Sequence, residues 1–186
     1  MTVTERPSPS IARSLRTLYF VRFGFAVVWA ALLAVTASAL TPLSITLLVL
    51  YPVVDLVAAV IDHRASRIAR PARALYANMA FSLLAAIGIA VALGAGLPAI
   101  LVVWGAWAVT AGAVQLIVAI GRRSLGGQWP MILSGGISVL AGAAFIAQSG
   151  TASASLASLA GYATLGGIFF LISAIRLQRA AKADAR

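Results

Sequence analysis

The chain has 186 residues, 62% of them hydrophobic and 10% charged, with a net charge of +10 and no cysteine. So little polar surface excludes a soluble domain of this size, and the missing cysteine excludes a disulfide framework, a thiol nucleophile and a cysteine-based zinc cluster. The basic residues form short clusters between long apolar runs and mark no nucleic-acid recognition motif, which excludes nucleic acid as a partner; anionic lipid headgroups, at about 1 kcal/mol per basic residue, account for the charge.

Residues 1–15, with Pro7 and Pro9, read as a short flexible tail. Arg13 and Arg16 then precede an apolar stretch, and "ASA" at Ala37 to Ala39 resembles a leader cleavage site. That stretch is too long for a leader and belongs to an internal repeat, so it is expected to be retained as a first span over 19–39. The turn "TASALTP" (Thr36 to Pro42) leads to a second span over 43–62, in which Asp55 is the only charge before Asp62. From Ala74 to Gly121 there are 48 residues without Asp, Glu, Lys or Arg, and from Ser124 to Ile175 there are 52. A membrane helix needs about 20 residues, so each run holds two and a turn. The turns are "GAGLP" (Gly94 to Pro98) and "QSGTASAS" (Gln148 to Ser155), giving spans over 74–94, 98–120, 130–148 and 156–176 and a basic tail over 179–186. Pro42, Pro98 and Pro130 each fall at an expected helix start, where a missing amide hydrogen is harmless.

All fourteen Lys and Arg residues fall on one side of this six-span arrangement: Arg6 to Arg22, Arg64 to Arg73, Arg122 and Arg123, and Arg176 to Arg186. By the positive-inside rule both termini and the two basic loops face the cytoplasm. The fold class expected is therefore an all-α integral membrane protein of six helices, a single transmembrane domain over 16–178.

A period of about 55 residues divides that domain into three helical hairpins, 19–66, 74–123 and 129–178. Small residues recur every fourth position in the first helix of each: Ala26, Ala30, Ala34, Ser38; Ser82, Ala86, Ala90, Gly94; Ser134, Ser138, Gly142. Such stripes let membrane helices approach closely, because lipid tails are as apolar as leucine and association depends on packing. "WAVTAGAVQLIVAI" (Trp107 to Ile120) overlays "YATLGGIFFLISAI" (Tyr162 to Ile175) without gaps, and Tyr51 takes the place of Trp107 and Tyr162. Two spans per unit keep successive copies in the same orientation, as parallel repeats about an axis along the membrane normal.

"GAVQLIVAIGRR" (Gly112 to Arg123) followed by "GQWPMILSGGISVLAGAAF" (Gly127 to Phe145) resembles the HdeD-like acid-resistance membrane proteins, a group built from a short repeated membrane domain of unknown function. The resemblance extends over most of 19–178 in span number, hairpin layout and basic loops, and its distinctive letters are Trp129, Pro130, Ser134 and Gly135. It implies a multi-pass protein of the bacterial plasma (inner) membrane associated with tolerance of acid stress, with no catalytic residue and no cofactor. Pro52 and Asp55 match no element of that pattern, so a mechanism built on them is this sequence's own.

An aspartate within a span costs at least about 2.5 kcal/mol and needs a reason. Pro52, one turn before Asp55, removes a helical hydrogen bond and crowds the Leu48 carbonyl, which predicts a kink. An exposed carbonyl beside a carboxylate is how broken helices in transporters hold a cation or proton. Alternatively Arg22, in the antiparallel neighbour, forms a buried ion pair with Asp55 that only fixes packing. A third arrangement has Asp55 facing a wet cavity without a cationic partner. His63 is a candidate pH sensor, histidine being the side chain suited to that role, although a histidine between Asp62 and Arg64 is more often an interfacial residue. Asn78, Thr110, Gln115 and Thr164 are expected to hydrogen-bond between helices, and Tyr19, Tyr76 and Trp129 to anchor at the interface. The Gly126–Gly127 pair lacks a following lysine and reads as a loop.

Asp55 has no carboxylate partner in another span and His63 has no nucleophile arranged with it, so no reaction is expected and the chain is not read as an enzyme. The function expected is a non-enzymatic membrane component of envelope or acid-stress response. The alternative is a small transporter or proton or ion pathway using Asp55, Pro52 and nearby backbone. Beyond the bilayer, the partners expected are a further copy of the chain or another membrane protein seated on the small-residue stripes.

Overall fold

In the computed structural model, which describes residues 9–65, 72–125 and 128–183, six helices follow one another: α1 (Pro9–Val35), α2 (Pro42–Ala65), α3 (Ala72–Ala92), α4 (Leu97–Gly121), α5 (Trp129–Gln148) and α6 (Leu156–Ala183). All six are long and apolar enough to cross a membrane, and no strand occurs among the described residues. Even α5, with 20 residues, spans about 30 Å at 1.5 Å per residue, the thickness of a bilayer's hydrocarbon core. Arg6, Arg67, Arg70, Arg186 and the Gly126–Gly127 loop lie outside the described residues.

The helix boundaries have local causes. Thr41 and Ser44 cap α2 reciprocally: the Thr41 amide donates to Ser44 Oγ at 2.8 Å, and the Ser44 amide donates to Thr41 Oγ1 at 3.1 Å. After α3 a 3₁₀ turn at Leu93–Ala95 runs into Gly96, whose φ of +78° is the only positive value among the described residues. Only glycine takes that conformation without strain. Pro98 and Pro130 sit in the first turn of α4 and of α5.

Two boundaries differ from expectation. α1 starts at Pro9, so residues 9–15 of the expected flexible tail are helical, and α6 continues to Ala183 through most of the expected basic tail. Arg, Lys and Ala are good helix formers, and a span already formed removes the nucleation cost of extending it into water.

The helices form a closed ring in chain order, each packed on its predecessor and successor, with α6 returning against α1. The tightest seams are α4–α5, α1–α6 and α2–α3, which join helices that the sequence assigns to different hairpins. Glycine explains the closest of them. A Cβ built on Gly105 would lie 2.6 Å from the Gly142 carbonyl oxygen, and one on Gly112 would lie 2.8 Å from that of Gly135. Two antiparallel backbones thus touch at two points seven residues apart on each helix. In the α1–α6 seam Gly167 faces Ala26, with 3.1 Å from an added Cβ to the Ala26 methyl.

The stripes seen in sequence are buried only in part. Ala26, Ala30, Ser82, Ala86, Ser134 and Ser138 are buried, whereas Ala34 and Ala90 are exposed. Four residues overshoot a helical turn by about 40°, so a fourth-position stripe rotates out of a straight seam.

Inside the ring, the half near the loops without basic residues is filled solid. Trp29, Leu33, Leu48, Ile100, Trp104 and Leu159 are at most 1% exposed there. Trp29 stacks on Trp104 with centroids 5.5 Å apart and meets Tyr51 edge-on at 4.6 Å. The half toward the basic ends is not filled.

Candidate functional site

All six helices contribute to a cavity of about 100 Å³ on the ring axis. It runs from the level of Tyr19, Asp62 and Gln128 near the basic ends to Trp107, Ser138 and Tyr162 at mid-span. On α2 the lining residues Tyr51, Asp55, Ala58, Ala59 and Asp62 follow the i, i+4, i+7 spacing of one helical face.

Asp55 is the centre of this wall. Arg22 Nη2 donates to Asp55 Oδ1 at 2.5 Å, while Asn78 Nδ2 and Ser82 Oγ donate to Oδ2 at 2.7 and 2.8 Å. The Trp107 indole N–H in turn donates to Ser82 Oγ at 3.1 Å. Both carboxylate oxygens therefore have partners, drawn from α1 and α3, and a fourth helix supports the network through Trp107. The Arg22 guanidinium lies 4.3 Å from the centre of the Phe170 ring, a cation–π contact that holds its plane against α6.

A second buried pair closes the basic end. Arg122, at the C-cap of α4, donates from Nη1 to Asp62 Oδ2 at 2.8 Å, and its side chain is 2% exposed. Arg122 also neighbours Tyr19, so three helices meet at this point. Sequence reasoning missed this pair, having placed Arg122 in a loop and Asp62 at the interface. The available signal was that Asp62 follows Asp55 by seven residues, two turns along the same face.

Several expected positions are changed. Pro52 is buried inside a continuous α2 and does not line the cavity. The Leu48 residue, whose carbonyl loses its helical partner to Pro52, is fully buried in the plug, and the neighbouring Leu47 carbonyl accepts from Trp29 Nε1 at 2.6 Å. Pro52 and Asp55 therefore do not share a cation-binding face. Tyr19 is not an exposed anchor: it is buried against Phe170, with centroids 5.8 Å apart, where α1 packs on α6. Tyr76 and Trp129 are exposed at the helix ends. His63 lies off the cavity, its Nε2 2.9 Å from the Tyr76 hydroxyl and its ring 4.6 Å from the Tyr76 ring. Asn78 and Gln115 bond across helices, Gln115 Nε2 donating to the Met131 carbonyl at 3.1 Å. Thr110 and Thr164 instead donate to carbonyls one turn back on their own helices, because each hydroxyl reaches a local acceptor first.

Among the described residues no three or more His, Cys, Asp or Glu side chains are grouped so as to hold a metal ion. What the arrangement offers is a polar, charge-balanced wall around open space, closed at mid-span by aromatic rings. Ser82→Ala tests how far this wall is mechanical. It deletes a donor to Asp55 and the acceptor of Trp107, two bonds worth about 0.6 to 1.7 kcal/mol each in membrane proteins. A stability loss of about 1 to 3 kcal/mol is expected in detergent unfolding, against under about 0.5 for Thr110→Ala. Equal losses would remove Ser82 from the network.

Comparison of the chain with family models, with curated proteins and with solved structures found no match.

Proposed function

We propose that this chain is a non-enzymatic multi-pass protein of a bacterial plasma membrane, with its termini and basic loops in the cytoplasm, and that its working part is a one-sided solute cavity. The observation that carries this is the division of the ring interior: an open half lined by Arg22, Asp55, Asn78, Ser134 and Ser138, and a half filled by the Trp29–Trp104 plug. Open space at membrane depth beside ionised groups favours water, since a dry cavity would leave their remaining polar valences unmet. The plug argues against a continuous pore. Asp55 is a structural anchor in this reading, because Arg22, Asn78 and Ser82 occupy both of its carboxylate oxygens.

The physiological setting is tolerance of envelope or acid stress. The span number and the Trp129, Pro130, Ser134 and Gly135 letters shared with HdeD-like proteins support it, and the three hairpin repeats belong to the same proposal. A strain lacking the gene is expected to lose survival at low external pH and to regain it with the wild-type gene. Equal survival with and without the gene would retire the stress role.

Access to the cavity is tested directly, because a chain without cysteine accepts single reporters. Ser138→Cys, at the inner end of the cavity, is expected to react with a membrane-impermeant thiol reagent from the cytoplasmic face of oriented vesicles and not from the other face. Leu101→Cys, at a 1% exposed position packed in the plug with Trp29 and Trp104, is expected to react from neither. Labelling of Ser138→Cys from the far face would mean a through-pore, and no labelling from either face would mean a sealed void.

A further inference from the structure

We infer that the cavity is a receptor for a short-chain monocarboxylate, held by the unpaired edge of Arg22; this rests on the accessible cavity proposed above. A guanidinium carries five N–H donors. Arg22 uses one of them on Asp55, and Phe170 covers one face of its plane. Its other donors have no partner among the described residues and are not enclosed. The side chain remains 20% exposed, and it lines the cavity.

Two hydroxyls complete the set. Tyr51 and Ser134 are 9% and 5% exposed, both line the cavity, and neither hydroxyl has a partner among the described residues. A hydroxyl at this depth with no protein partner needs one from the cavity's contents. By contrast, Asp55 already accepts three hydrogen bonds and Asp62 is paired with Arg122, so the carboxylates present little free capacity for a cation. The Arg22 edge can only donate, and each of the two hydroxyls can donate as well. They suit an anion.

The rest of the cavity decides which anion. Trp107, Ala111, Gly112, Val114 and Met131 give it an apolar wall, and this favours a ligand with a hydrocarbon end over a fully hydrated ion such as phosphate. A cavity of only about 100 Å³ favours a short hydrocarbon end over a long acyl chain. Arg122 is already engaged by Asp62 and, among the described residues, Arg22 is the only arginine that lines the cavity, which suits one carboxylate and not two. A planar carboxylate is the anion whose two oxygens match an arginine edge.

The test uses the purified full-length protein in detergent micelles, titrated with sodium propionate, propionamide, sodium phosphate and tetramethylammonium chloride. Saturable propionate binding is expected, with each of the other three at least about tenfold weaker, the usual penalty for losing a charge-assisted bidentate contact. Arg22→Lys keeps the charge and loses the fork, and is expected to weaken propionate by about tenfold or more. Tyr51→Phe and Ser134→Ala remove only hydroxyls without protein partners, so both should fold, and each is expected to weaken propionate by about threefold to tenfold. Propionate should also slow the labelling of Ser138→Cys. Affinity unchanged in all three variants, or phosphate, propionamide or tetramethylammonium binding as tightly as propionate, would overturn the inference. If Ser138→Cys is labelled from the cytoplasmic face yet propionate neither binds nor protects, the carboxylate site fails and the one-sided cavity stands; if Ser138→Cys is never labelled, the cavity reading fails first.

Discussion

Asp55→Leu is expected to lower stability by about 3 to 5 kcal/mol, because it leaves the Arg22 guanidinium at membrane depth with no counter-charge and removes the acceptor of Asn78 and Ser82. Arg22→Met should cost a similar amount by stranding the carboxylate. The Arg22→Met, Asp55→Leu double variant is expected to lose less than either single change, since with both charges gone only the Asn78 and Ser82 hydroxyl and amide donors lack a partner. The measurement is a double-mutant cycle on unfolding in mixed micelles, with a coupling of at least about 2 kcal/mol expected for a buried hydrogen-bonded pair. Losses that simply add would show that Arg22 and Asp55 are neighbours without being partners.

Gly142→Leu should be the most damaging change in the α4–α5 seam. An added Cβ there would sit 2.5 Å from the Gly105 carbonyl oxygen and 2.7 Å from the Val109 amide nitrogen, both backbone atoms that no rotamer change can move. The helices must separate, and overpacking of this kind costs about 1 to 3 kcal/mol and more when backbone has to shift. Gly112→Leu should behave alike, with 2.7 Å from its Cβ to that of Ser138, and because Gly112 and Ser138 line the cavity it should also alter access to Ser138→Cys. Gly136→Ala is the control. Nothing lies within 4 Å of its added methyl, and alanine is favoured over glycine inside a helix by up to about 1 kcal/mol. Damage by Gly136→Ala equal to that of Gly142→Leu would place the loss in helix propensity and not in the seam.

The charged pairs show how far one-dimensional reasoning reaches. Arg22 and Asp55 were legible as a possible pair because each is the one charge away from the ends of its apolar segment and the two segments are consecutive. Asn78, Ser82 and Trp107 were not legible as members of the same network, since polar letters in a span announce a partner without naming it. Arg122 and Arg123 make the limit plain. Adjacent and chemically identical, one caps α4, is 3% exposed and is bonded to Asp62, while the other opens the 3₁₀ turn that follows and is exposed.

By itself the sequence determined the number of helices and, apart from the start of α1 and the end of α6, where each begins and ends to within a few residues. Those properties follow from the local cost of exposing amides to hydrocarbon, which each segment meets alone. Which seams are tight, which face of each helix turns inward, and that half the axis is open while the other half is packed with indole rings were decided by the tertiary structure. Lipid tails and leucine side chains are equally apolar, so hydrophobicity does not tell a membrane helix which way to face. That choice is made by backbone contact at Gly105, Gly112, Gly135 and Gly142 and by the hydrogen bonds converging on Asp55, interactions between residues far apart in the chain.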